Sequence, residues 1–169
     1  MTDAPAPVTG LPPVLPDRCT LLLLGSLPGR ASLQAGRYYG HPRNHFWVLM
    51  ERVIGAPLVA LDYSERLERL GAHGIGLWDV IGSARRESSL DGDIRDAVVN
   101  PLRPLIDRLT DLQAIGCNGA LSAKTARRLL AGIAQPIVAL PSSSPAYTLP
   151  LPAKAQAWRA LEAFIHRSG

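Results

Sequence analysis

The stretch Cys19-Thr20-Leu21-Leu22-Leu23-Leu24-Gly25 decides the fold. The run is short, apolar on both alternating faces and stopped by a glycine, the pattern of a strand covered on both sides within a parallel sheet. Upstream, Pro5, Pro7, Pro12, Pro13 and Pro16 remove backbone donors and favour an extended arm, so residues 1–17 read as a peripheral tail. Downstream, a turn-rich loop from Ser26 to Arg43 leads to Phe46, Trp47, Leu49, Met50, Val53 and Ile54, which recur at helical spacing up to Gly55. A short capped helix spans Ser64 to Leu70, and Gly74 releases the chain into a strand from Ile75 to Val80. The alternation continues with a helix over Pro101–Leu109, a strand over Leu112–Cys117, a helix over Leu121–Leu130 and a strand over Pro136–Leu140. Ala155, Trp158, Leu161 and Ile165 mark a last amphipathic helix, ending in His166 and Arg167, whose cations suit the negative end of its dipole. Four strands alternating with helices predict one domain, residues 18–169, of three-layer α/β/α architecture with a four-stranded, mainly parallel sheet. Its ligand crevice belongs at the C-terminal ends of the strands.

Composition narrows the function classes. Among 169 residues, 47% are apolar, enough for one real core, and 18 Lys+Arg against 14 Asp+Glu leave a formal charge of +4. That balance permits a polyanionic partner without requiring one. The four leucines fall far short of the roughly 18 apolar residues of a membrane span, and no basic-then-apolar leader precedes them, so membrane insertion and secretion are disfavoured. Cys19 and Cys117 border apolar runs where a small buried thiol fits, no Cys/His cluster has zinc-ligand spacing, and a reducing cytoplasm is the expected compartment.

The loops after the strands carry the chemistry. Gly25-Ser26-Leu27-Pro28-Gly29 and Arg37-Tyr38-Tyr39-Gly40-His41-Pro42-Arg43-Asn44-His45-Phe46-Trp47 combine glycines that let backbone approach a flat ligand, tyrosines with stacking faces and a helix start that aims free N–H groups outward. Asp79 ends the second strand. Ile81 to Ser89 then reads as a loop whose Arg85 and Arg86 suit phosphates, and Pro141-Ser142-Ser143-Ser144-Pro145-Ala146-Tyr147-Thr148 reads as a stiff hydroxyl clamp. The serine run lacks the Gly-x-Ser-x-Gly elbow of a hydrolase nucleophile.

On these residues, together with Gly76-Leu77-Trp78-Asp79-Val80-Ile81 and Cys117-Asn118-Gly119, the chain resembles the uracil-DNA glycosylase superfamily, and most closely its hypoxanthine-DNA (deoxyinosine) glycosylase branch. The mismatch-specific uracil glycosylases carry Gly-Ile-Asn-Pro-Gly and then His-Pro-Ala-Asn-Arg-Phe-Trp, and both motifs land here with matching spacing. The Asn with which those enzymes position water is replaced by Leu27. The hypoxanthine branch likewise lacks it, and that resemblance moves the catalytic amide to Asn44. The resemblance implies a monofunctional glycosylase that hydrolyses the bond between deoxyribose C1′ and a deaminated base, preferably hypoxanthine, without metal or redox cofactor. It implies DNA as the partner, and a monomer is expected. The only lysines, Lys124 and Lys154, lie outside the motifs, so no Schiff-base lyase step is expected.

The roles then expected are these. Asn44 holds water, with a helix-capping role as the structural alternative. Main-chain N–H groups around Ser26, Leu27 and Tyr39 take the base charge, and Tyr39 also stacks. Asp79 reads the base edge or merely caps a turn. Arg43, Arg85, Arg86, Ser142, Ser143 and Ser144 grip the DNA backbone, and Tyr147 or Leu149 is the wedge that fills the hole left by a flipped nucleotide. Two other functions fit the same residues: a uracil or thymine mismatch glycosylase, and a non-catalytic nucleic-acid-binding α/β domain.

Overall fold

The computed structural model describes residues 5–166; Arg167 and the first four residues lie outside them. Strand β2 (Leu21–Gly25) is the axis, and every one of its residues is buried. It pairs in parallel with β3 (Ile75–Asp79) on one side and β6 (Ala114–Asn118) on the other, and β6 pairs in parallel with β7 (Ile137–Leu140). The sheet order is therefore β3-β2-β6-β7, a four-stranded parallel sheet as the sequence pattern predicts.

Alternation splits the leucines between two cores. Leu22 and Leu24 join Ile115 and Cys117 against α4 (Leu102–Arg108) and α5 (Ala120–Leu129), through Leu105, Ile106, Ala123 and Ala126. Leu21 and Leu23 join Ile75 and Leu77 against α2 (Phe46–Ile54), α3 (Tyr63–Ala72) and α6 (Leu151–Trp158). Asp62 caps α3 by accepting from the Glu65 N–H, and left-handed Gly55 closes α2. After α6 the last helix tightens into a 3₁₀ segment, Arg159–Phe164, pinned where Thr20 Oγ1 donates to the Phe164 carbonyl. Cys19 and Cys117 are free and buried, and burial pushes both thiols up to about 11, so they are packing groups rather than nucleophiles. No helix of the described residues is long and apolar enough to cross a membrane.

Three parts differ from the sequence reading. Within the loop expected from Ser26 to Arg43 lies a short helix, α1 (Arg30–Ala35), ended by left-handed Gly36. The loop expected after Asp79 is instead a strand, β4 (Ile81–Arg85), pairing antiparallel with β5 (Arg95–Val99) and with β1 (Val8–Thr9) in a second sheet. Small residues at Gly82, Ser83 and Ala84 hid its alternation. The described part of the proline-rich segment is also not peripheral. Val14 exchanges two backbone hydrogen bonds with Leu77, covering the open edge of β3, and the Leu11 and Pro12 carbonyls accept from the buried Tyr38 hydroxyl.

Removing residues 1–14 would strip that hydroxyl of its acceptors, at about 1–3 kcal/mol, and reopen the β3 edge. The expected outcome is a melting temperature lower by roughly 5 °C or more, read by circular dichroism.

Candidate active site

The carboxyl ends of the parallel strands converge on a cavity of about 460 Å³, inside the roughly 300–1,000 Å³ range of small-ligand sites. β2 contributes Gly25 and Ser26, β3 contributes Asp79, β6 contributes Asn118, and the segment after β7 contributes Ser142 to Tyr147. Tyr38, Tyr39, His41 and Asn44 enter from the loop before α2, and Ser89, Leu90 and Asp91 from the β4–β5 connection.

Gly25 makes the floor possible. A Cβ there would sit 2.5 Å from Asp79 Oδ1 and 3.3 Å from the Tyr39 hydroxyl, so any side chain would displace both groups. Asp79 is 4% exposed and Tyr39 lies just above it. Among the described residues neither Asp79 Oδ2 nor the Tyr39 hydroxyl makes a hydrogen bond, although the Asn118 amide lies beside the phenol, and each such orphan costs on the order of 1–3 kcal/mol. Burial pushes the Asp79 carboxyl up to about 7; Arg86 opposes the rise and Asp91 adds to it. The same desolvation, with Asp79 adjacent, holds the Tyr39 phenol well above its usual range, so it is a neutral donor.

Tyr39 is held under strain. Its φ of 53° is left-handed, uncommon for a residue with a Cβ. The Trp47 indole N–H fixes the Tyr39 carbonyl at 3.2 Å, and the Tyr39 ring stacks on buried Phe46 with centroids 3.8 Å apart. The backbone N–H groups of Ser26, Leu27, Gly29 and Tyr39 make no hydrogen bond within the described residues, leaving a set of free donors around the cavity. The Leu27 side chain is buried and apolar and offers water nothing.

Among the described residues the Asn44 side chain is bound at one end only. Its Oδ1 accepts from the Phe46 N–H at 2.9 Å, bridging the start of α2, which leaves its NH₂ group for the cavity. The serine segment is tied down from four directions. Asn118 holds Ser143 through both its amide atoms, the His45 N–H donates to the Ser143 carbonyl, the Trp158 indole to the Pro141 carbonyl and Lys154 Nζ to the Ser144 carbonyl.

Sequence reasoning missed Asn118 and Lys154 as site residues. Asn118 was visible in Cys117-Asn118-Gly119 but lacked a partner until the fold supplied Ser143. Lys154 sits in an unremarkable helix, fully buried, its Nζ also 3.4 Å from His45 Nδ1 and 5.6 Å above the Tyr147 ring. Of the expected residues, Ser26, Leu27, Tyr39, Asn44, Asp79, Ser142, Ser143, Ser144 and Tyr147 line the cavity. Arg43 is exposed outside it, and half-buried Leu149 is not among its walls. Arg85 lies on β4, donating to the Pro5 carbonyl and facing Asp96 at 3.7 Å. Arg86, expected toward phosphates, is turned inward: it is 8% exposed and donates to the Leu27 and Pro28 carbonyls.

The fold and site thus define an α/β/α sandwich with a small-ligand pocket at its topological switch point, edged by amides, a carboxyl and a phenol. The model of the uracil DNA glycosylase superfamily matches residues 12–164, and the chain belongs to that superfamily. It is 42% identical over 113 residues to a hypoxanthine DNA glycosylase of Methanosarcina barkeri, covering 67% of this chain and 72% of the relative. It is 38% identical over 135 residues to one of Methanosarcina acetivorans, covering 80% and 85%. A solution NMR structure of a candidate uracil DNA glycosylase from M. acetivorans superposes with a TM-score of 0.84 at 34% identity, over 93% of this chain and 97% of the other.

The raised carboxyl has a stability consequence. Because folding raises Asp79 above its unfolded value, its contribution is full below about pH 3.8 and is lost as pH climbs through about 7. Asp79→Asn removes that slope. The variant should melt higher than the parent at pH 8 and lose the advantage toward pH 4, measured by thermal melts across pH.

Proposed function

We propose that this chain is a monofunctional DNA glycosylase that releases a deaminated purine, preferably hypoxanthine, from a nucleotide rotated out of the helix. The observation that carries this is the orphaned pair on the cavity floor, Tyr39 hydroxyl and Asp79 Oδ2, beneath a ring of free amides. Hypoxanthine presents a ring N–H that an ionised Asp79 accepts and an exocyclic oxygen that the phenol or an amide donates to. A base inside the stack cannot reach such a floor, and a mispaired one costs less to extrude.

Breaking the bond to C1′ leaves negative charge on the purine and positive charge on the sugar. The N–H groups of Ser26, Leu27 and Tyr39, unbonded within the described residues and carried by cavity-lining residues, are the donors that would take the first. The free NH₂ of Asn44 holds a water by its oxygen, leaving a lone pair to capture the sugar cation, and the proton this water gives up neutralises the purine anion. The tied Ser142–Ser144 segment presents hydroxyls to the backbone beside the flipped nucleotide. Two exposed apolar side chains stand at the mouth on different segments, Tyr147 at 47% exposure and Leu90 at 52%, and either has the bulk to fill the vacated stack.

The test is an alkali-treated cleavage panel of duplexes containing hypoxanthine, uracil, xanthine or a thymine mismatch. Hypoxanthine should be released fastest, and its rate should rise with pH through about 7 as Asp79 ionises. Faster uracil release would assign the chain to uracil repair, and binding without release from any duplex would make it a binding domain.

Two substitutions at Asn44 separate its roles. Asn44→Ser keeps an oxygen for the Phe46 N–H and loses the amide, so stability should hold while single-turnover release falls by roughly 10². Asn44→Ala should lose both, with about 1 kcal/mol of stability. Normal release from Asn44→Ser would remove Asn44 from the chemistry. For the wedge, Tyr147→Ala and Leu90→Ala should slow release from duplex and leave single-stranded substrate unaffected, measured side by side.

A further inference from the structure

We propose that Arg86 is a positioning residue for the catalytic pocket: its guanidinium holds the Leu27 and Pro28 carbonyls behind the first loop, so that the turn is fixed and the Gly29 N–H is directed away from Arg86, toward the base. This rests on the glycosylase reading above. Arg86 Nη1 donates to Leu27 O at 3.4 Å and Nη2 to Pro28 O. In a trans peptide the N–H points opposite the C=O. Turning the Pro28 carbonyl toward Arg86 therefore turns the Gly29 N–H the other way, and that N–H makes no hydrogen bond within the described residues. The Leu27 carbonyl precedes a proline and so has no N–H to offer in return; holding it fixes the turn itself.

The rest of the β4–β5 connection grips the same loop. Ser26 Oγ donates to Asp91 Oδ1 at 2.6 Å, the Arg30 N–H to Ser89 Oγ at 3.1 Å and the Arg30 guanidinium to the Glu87 carbonyl at 3.1 Å. Arg86 is the buried member of this bracket, and it has no carboxylate within ion-pair distance in the described residues. A buried cation bonded only to carbonyls is costly unless its charge acts on something nearby. The charged and titratable groups around Asp79 are Arg86 and Asp91 from this connection and Tyr38 and Tyr39 from the loop before α2; Asn118 from β6 is neutral. Arg86 is the one cation among them, and it works against the burial that keeps Asp79 protonated. One side chain thus sets the direction of the Gly29 amide and lowers the pH at which the floor carboxyl becomes an acceptor.

The experiment compares the parent, Arg86→Lys and Arg86→Met by single-turnover release of hypoxanthine, by ¹³C NMR titration of the Asp79 carboxyl and by the salt dependence of duplex binding. Arg86→Met should slow release by roughly tenfold or more and move the Asp79 midpoint upward. Arg86→Lys keeps the charge but cannot span two carbonyls, so its midpoint should stay near the parent's while release still falls. The salt slope should be unchanged in both, because Arg86 contacts no phosphate. A parent-like rate in Arg86→Lys, an unmoved midpoint in Arg86→Met, or a salt slope smaller by about one would overturn the proposal. If Arg86→Met does not fold, the lysine variant's rate and slope still decide. A parent that releases no base from any duplex would sink the glycosylase reading instead, and the NMR titration would still judge the electrostatic role of Arg86.

Discussion

A carboxyl group lies buried across the end of β2, in the space that Gly25 leaves by having no side chain. Much of the site is arranged around that placement. Asp79 reaches it because β3 runs parallel to β2 in register, Gly25 opposite Asp79. Its environment is dry because Tyr39 closes over it, and Tyr39 can do so only in a left-handed conformation that the Trp47 indole and the Phe46 ring hold in place. The same desolvation that makes the carboxyl expensive brings its ionisation close to neutrality, where a change in one neighbour decides its state. Stability and function therefore pull against each other at this point. The orphaned oxygen and phenol are groups that a folded protein without a ligand would be expected to pair.

The architecture was legible because burial on both faces leaves a signature that no other short element has. Leu21 to Leu24 require apolar neighbours above and below, and that alone implies two helical layers. The places of Asp79 and the serine segment beside the cavity were legible because loops at strand ends are where such a sheet gathers its polar groups, whereas Asn44, which position alone makes a helix cap, was singled out by the family resemblance. Failures came where local pattern is overruled by distant partners. β4 has only two deeply buried positions, Ile81 and Ala84, and becomes a strand because β1 and β5 pair with it. The prolines before Leu15 do forbid a helix, yet an extended chain is what the open edge of β3 needs. Arg86 shows the limit most clearly. An arginine beside serines in a presumed loop reads as a phosphate ligand, and only the fold reveals two backbone carbonyls waiting for it.

Lys154 extends the same lesson to the other wall. Its ammonium is fully buried, has no carboxylate partner in the described residues, and reaches a carbonyl, an imidazole nitrogen and an aromatic face. Burial, and then this neighbouring cation, hold the His45 ring below its ordinary value, and its Nδ1 lies 3.4 Å from Lys154 Nζ. Two inward-turned cations thus brace the two loops that face each other across the cavity, Arg86 behind Ser26–Gly29 and Lys154 behind Ser142–Tyr147. Neither touches the cavity directly; each sets the direction of backbone groups that do.

Asn44 shows why a structural and a chemical role need not compete for one residue. An amide has an accepting end and a donating end, and only an oxygen can receive the Phe46 N–H, so the contact at 2.9 Å fixes which end faces the helix. Capping then orients the side chain without occupying the NH₂ group, and the bond that holds α2's first turn also aims the donor into the cavity. A side chain whose position is dictated by its own helix loses little freedom on binding a ligand, which is why one contact can serve the helix and, in the reading proposed above, a bound water as well. Leu27, at the place where a related loop carries its amide, has no such hold on the backbone.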